Sequence, residues 1–126
     1  MAHTRIRKFN TRDAYPEQKL DNDLCQAVIA GNTIYLRGQV AQDLDTRQNV
    51  AVGDAAGQNE QVMQNIDTLL RECGSQLDHI VKATVYLTDI RYRDQGIEQS
   101  KYKDFCHRVD AQAHGGRYLL RMLSFA

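Results

Sequence analysis

Two apolar, β-prone runs, Leu24-Cys-Gln-Ala-Val-Ile-Ala30 and Thr33-Ile-Tyr-Leu-Arg37, are separated only by Gly31-Asn32, and no other feature constrains the fold of this chain as tightly. Glycine and asparagine tolerate the positive φ that a two-residue connection demands, so the runs are predicted to fold back on each other as an antiparallel hairpin. Gly38 follows at once, before Gln39-Val40, where a glycine suits a bulge or a close backbone approach. Upstream, Thr4 to Phe9 alternates Ile6 and Lys8 with Arg5, Arg7 and Phe9 and reads as a further strand. Arg5, Arg7 and Lys8 read as its exposed face. Asn10 to Asp23 is polar, holds the only proline, Pro16, and reads as a loop.

Helical periodicity takes over after Asp54. Val62, Met63, Ile66, Leu69, Leu70 and Cys73 recur at three- and four-residue steps and form one apolar stripe on a helix running to about Cys73. The Asp54 carboxylate can accept from the free amides of its first turn, and Gly74 sits where a left-handed C-terminal residue is expected. Asp43 to Arg47 reads as a turn and Asn49 to Val52 as a short strand. After a turn at Ser75 to Asp78, the sequence predicts a long strand from His79 to Ile90. A second helix is predicted over Asp94 to Arg108, with Ile97, Lys101, Tyr102 and Phe105 near one face. This order gives an α+β fold: one mixed β-sheet with two helices packed on one face. The opposite sheet face then needs a cover, which a second subunit supplies.

The totals bound the function. The 126 residues suit one domain, 1–126, around one core. Lys+Arg and Asp+Glu number 16 each, and the basic residues are spread along the chain, whereas a nucleic-acid binder concentrates base on one face. No apolar run approaches the roughly 20 residues of a membrane span, and the first residues hold no apolar leader, so the expectation is a cytoplasmic protein away from membranes and nucleic acid. Cys25, Cys73 and Cys106 are odd in number and widely spaced, which fits reduced thiols; Cys25 and Cys73 fall on apolar-patterned faces and read as small core residues. Cys106 and His107 are adjacent, so on a helix they point about 100° apart and do not converge on one metal. No metal site is expected.

The string Cys25-Gln-Ala-Val-Ile-Ala-Gly31-Asn32-Thr-Ile-Tyr-Leu-Arg37-Gly38-Gln39 is followed, in order, by Gly53-Asp54, Gln58 through Gln61, Asn65-Ile66, Leu69-Leu70, Cys73-Gly74-Ser75, Leu77-Asp78-His-Ile80-Val81-Lys82 and Val85-Tyr-Leu-Thr-Asp89-Ile90. The ordered set resembles the Rid (YjgF-type, reactive-intermediate deaminase) family over about residues 20 to 108. The resemblance implies a chorismate-mutase-like fold and a homotrimer whose three sheets form a central β-barrel, with clefts between subunits. It also implies hydrolysis of 2-aminoacrylate-type enamines and imines to 2-oxo acids and ammonia, with no cofactor. The alternative within the same fold is a non-catalytic member that binds a small ligand or regulates a partner.

The same resemblance points to site positions, and the chain departs from the family at several of them. The family's carboxylate-binding arginine follows a proline near a late strand; no proline follows Pro16 here, and Arg117 in Gly115-Gly-Arg117-Tyr is the nearest substitute for a catalytic residue. The family's terminal glutamate has no counterpart after Asp110. Substrate-binding cleft positions fall by resemblance on Leu24, Arg37, Gly38 and Ile97, where deaminases often carry Tyr, Ser, Gly and Asn. Arg37 admits two readings: an anion-binding group in the intersubunit cleft, or a strand residue paired with an acidic neighbour. Arg117 likewise reads either as the substrate's carboxylate ligand or as an ordinary exposed arginine. Val109 to Ala126 forms a divergent tail of the kind a local shift of reading frame would produce.

Overall fold

The computed structural model describes residues 3–99, 101–105 and 122–124. The expected hairpin is present. Strand β2 (Leu24–Ala30) pairs antiparallel with β3 (Thr33–Leu36) in the register Ala27↔Leu36 to Ala30↔Thr33. Gly31 takes a φ of 61°, the left-handed conformation the two-residue turn requires. Strand β1 (Thr4–Phe9) adds on the other side of β2, with Phe9 opposite Leu24 and Thr4 opposite Ile29. The connecting stretch is not a bare loop. It holds a short helix α1 (Thr11–Ala14), capped by the Asn10 side chain accepting from the Arg12 amide, and a 3₁₀ turn at Pro16–Gln18.

Helix α2 (Ala55–Glu72) supplies the core. Asp54 caps it, accepting from the Gly57 amide at 3.1 Å. At the other end Gly74 has a φ of 80°, and the Ser75 amide donates to the Leu70 carbonyl at 2.8 Å, closing the helix as a Schellman motif. The predicted stripe is the buried one: Val62, Met63, Ile66, Leu69 and Leu70 are all buried. Val62, Met63, Ile66 and Leu70 form one cluster with Ile97 and Phe105, and Ile34 and Leu36 of β3 pack against it. Cys25 and Cys73 are half-buried at the margin of this core rather than inside it.

Several expectations need correction. The described strands form two three-stranded sheets, β1-β2-β3 and a second built from β4 (Gln39–Val40), β6 (Met122–Ser124) and β5 (Tyr86–Leu87), with β6 in the middle and parallel to both neighbours. The chain leaves β3 at Arg37-Gly38 before β4 begins, so β4 joins a different ladder from its predecessor. The long strand expected over His79 to Ile90 is reduced to β5. A strand exists as a paired ladder, and among the described residues β6 pairs with Tyr86 and Leu87 alone of this segment. Leu77–His79 is a 3₁₀ turn. Ile80, Ala83 and Val85 still pack against the core while Val81 is exposed. In place of the strand at Asn49 to Val52 there is a single bridge from Asn49 to Gln42. The second helix is irregular: Asp94–Glu98 is a π-helical turn, and residues 103–105 are helical again. Gly96 sits inside that turn against the start of α2, where an added Cβ would make ordinary contact with Ala55 at 3.6 Å. No described helix is long and apolar enough to cross a membrane.

Candidate functional site

The hairpin register decides which side chains share a face, because successive residues of a strand point to opposite sides. Ala27, Ile34 and Leu36 face α2 and the core. Leu24, Gln26 and Val28 therefore face the other way, together with Phe9, opposite Leu24, and Tyr35, opposite Val28 and 63% exposed. The Arg37 amide donates to the Gln26 carbonyl at 2.8 Å, continuing the ladder by one residue. Arg37 is thus the cross-strand neighbour of Gln26 on this outer face.

Its guanidinium lies over the ring of Phe9, 5.1 Å from the centroid. Phe9 belongs to β1, on the far side of β2, so the side chain reaches past β2 to make the contact. Such cation–π contacts are worth about 0.5–1 kcal/mol at exposed sites, enough to bias the rotamers of a long side chain. The other arginines of this region are committed to carboxylates. Arg5 meets Asp23 at 2.7 Å, while Arg7 engages both oxygens of Glu72 at 3.0 Å and Asp45 at 3.1 Å. Among the described residues Arg37 has no such partner; its contact is the Phe9 ring. Its surroundings explain this: Gln26, Leu24 and Phe9 carry no negative charge.

A buried amide network braces the backbone beneath. Gln39, 5% exposed, donates from Nε2 to Gln26 Oε1 at 3.0 Å and to the Arg37 carbonyl at 3.1 Å, across Gly38. Gly38 has no positive φ, and a Cβ built on it meets nothing within 4 Å. Of the two expectations, a bulge or a close backbone approach, the second is not met: Gly38 marks open space beside Arg37. Further along, Asn65 of α2 donates to the carbonyls of Val40 at 3.2 Å and Gln42 at 2.8 Å, and accepts from Gln61 at 2.8 Å. Gln58, Asn59 and Asn65 are buried polar residues on an otherwise apolar helix face. Of these, Asn65 holds the β4 segment, while Gln58 donates to the Ala51 carbonyl at 3.1 Å.

Of the positions singled out from sequence, the structure brings Leu24, Arg37 and Gly38 to one end of the outer face. It does not bring Ile97 there: Ile97 is 2% exposed and packs in the core cluster on the α2 side. Its apolar side chain gains more from that core than from a polar cleft. Arg117 lies outside the described residues, as do Cys106 and the tail from Val109 to Arg121. Phe9, Gln26 and Gln39 are the members that sequence reasoning missed. An uncommitted guanidinium beside an apolar floor can bind and orient a small carboxylate through its planar fork. Among the described residues Phe9, Leu24, Gln26 and Gly38, which surround Arg37, none is an acid or a base, so a water and a proton route must come from elsewhere.

The fold and this face define a member of an α+β class already represented among solved structures. RidA from the Antarctic bacterium Psychrobacter sp. PAMC 21119 superposes with a TM-score of 0.52 at 26% identity, over 81% of this chain and 72% of that one. The Endoribonuclease L-PSP family matches residues 17–105, and the chain belongs to this family, the Rid or YjgF family of the sequence resemblance. The 2-iminobutanoate/2-iminopropanoate deaminase of Bos taurus is 34% identical over 101 residues, covering 73% of this chain and 72% of its own length. The RutC family protein PYRAB12510 of Pyrococcus abyssi is 40% identical over 65 residues, 52% of this chain. That match spans 50% of the archaeal protein, so the chain covers about half the length of several curated relatives.

Proposed function

We propose that this protein is a Rid-type hydrolase of small 2-imino acids. Water adds to the C=N carbon, the C–N bond breaks, and ammonia and a 2-oxo acid leave. The observation that carries the reading is the Arg37 guanidinium, paired with no carboxylate of the described residues and held on Phe9 beside Leu24 and the open space at Gly38, in a chain 34% identical to an imine deaminase. Such a substrate is a small planar carboxylate, the ligand a guanidinium fork suits. In this reading the domain works as a homotrimer with its sheets around a central barrel, and the substrate sits in the intersubunit cleft. No cofactor is required, and the setting is the cytoplasm, with Cys25 and Cys73 as free thiols. The zero formal charge argues against RNA as the substrate, despite the name of the family.

A second reading, ligand binding without catalysis, is favoured by Ile97. Where the Rid pattern has an asparagine, this chain places an apolar residue in its core. One experiment separates the two. The full chain is assayed on the imine released from a simple amino acid by an amino-acid oxidase, alongside Ala and Lys variants of Arg37 and Arg117. Arg37→Ala lowers kcat/KM about 10- to 100-fold, the loss expected for a charge-assisted pair, and Arg37→Lys does not restore it, because an ammonium cannot reproduce the fork. If Arg117 instead holds the carboxylate, its Ala variant shows the loss and Arg37→Ala is unchanged. A wild type inactive on every imine tried overturns the hydrolase and leaves the binding reading.

A further inference from the structure

We infer that Phe9 is a positioning residue for Arg37, and that the two form one recognition unit for small planar carboxylates on the outer face of the β1-β2-β3 sheet. The inference deepens the proposed function and rests on it for the identity of the substrate. An exposed arginine ordinarily samples many rotamers, and ordering it on binding costs conformational entropy. Here the side chain is already laid past β2 onto an aromatic ring, 5.1 Å from its centroid. Its backbone is fixed from below as well: the amide is bonded to Gln26, and the carbonyl accepts from buried Gln39. The register puts Phe9 opposite Leu24, so ring and leucine form a continuous apolar floor under the guanidinium. An aromatic face lowers the cost of desolvating the cation without neutralising it, and the edge N–H groups stay available to a ligand. A carboxylate partner such as those of Arg5 and Arg7 would occupy that fork. The chemistry selected is a carboxylate on a small flat body, the shape shared by 2-imino and 2-oxo acids.

Pyruvate serves as the probe, titrated into the full chain and followed by calorimetry and by the Arg37 Nε–H resonance. Phe9→Met keeps the apolar volume and removes the π face, and it weakens pyruvate binding about three- to tenfold. Phe9→Tyr, which restores the face, binds within about twofold of wild type. Arg37→Ala abolishes binding. In turnover of an imine, Phe9→Met raises KM with kcat nearly unchanged, because it removes preorganisation and no reacting group. Equal affinity of Phe9→Met and wild type overturns the role of Phe9. Equal affinity of Arg37→Ala and wild type, or no pyruvate binding by wild type, overturns the unit altogether. Pyruvate binding that depends on both residues in a protein with no imine turnover sustains this inference and overturns the hydrolase.

Discussion

At the scale of the residue, the described acids of the loops are organised by donors rather than by burial. Asp43 accepts from the amides of Thr46 at 2.8 Å and Asp45 at 2.9 Å, and these bonds hold its carboxyl below the ordinary range. Arg5 does the same to Asp23 and Arg91 to Asp89. A folded carboxyl with a depressed pKa contributes stability that is present above its unfolded value, about 3.9, and lost as pH falls through the folded value. Asp43→Asn is therefore less stable than wild type at pH 5 and above, and the gap closes below pH 4. Urea midpoints of the two proteins from pH 6 to pH 2 check this; a gap of constant size would show that the charge of Asp43 contributes nothing. Asn65 belongs to the same scale by another mechanism, a buried carboxamide that donates to the main-chain carbonyls of Val40 and Gln42 and so ties that segment to α2.

At the scale of the element, α2 is set by its first turn as much as by its stripe. Replacing a helical glycine with alanine ordinarily gains about 0.8–1 kcal/mol. Gly57 is an exception the structure can account for. A Cβ there would stand 2.5 Å from Asp54 Oδ2 and 2.9 Å from the Ala51 Cβ. The carboxylate that caps the helix would have to leave, and an N-cap is worth about 1 kcal/mol. Ala51 already holds a φ of 54° and has little freedom to yield. The lost cap cancels the usual gain, and the 2.9 Å contact with the Ala51 Cβ tips the balance, so Gly57→Ala melts below the wild type. A variant that melts at or above the wild type would refute the steric account of this turn.

For the whole molecule, the asymmetry of the β1-β2-β3 sheet matters most. Its inner face is covered by α2, while its outer face presents Tyr35 at 63% exposure alongside Val28, Leu24 and Phe9. A sheet carrying apolar groups on both faces gains by burying the second. The trimer proposed above buries it against copies of the same chain. Light scattering at micromolar concentration is expected to give three times the subunit mass. A single subunit mass would leave the outer face solvated and the intersubunit cleft without walls.

The amino-acid sequence by itself determined the local structure: the Gly31-Asn32 hairpin, the Asp54 cap, the stripe from Val62 to Leu70 and the Gly74 stop. Each is decided within a few residues, by φ preference, side-chain hydrogen bonding or helical period. It also carried the family, because the motifs from Cys25 to Ile90 are ordered along the chain. What it left open depends on partners distant in sequence. His79 to Ile90 has the β-branched composition of a strand, yet pairing is supplied by another segment, and β6 reaches only Tyr86 and Leu87. Ile97 could be assigned to a cleft until the tertiary packing placed it against Met63 and Phe105. The place of Arg37 beside Gln26 and over Phe9, 28 residues earlier, follows from the sheet register, and no carboxylate of the described residues pairs with it. Whether a charge is paired is a property of its neighbours in space, and those neighbours are chosen by the register of β2 with both of its partners.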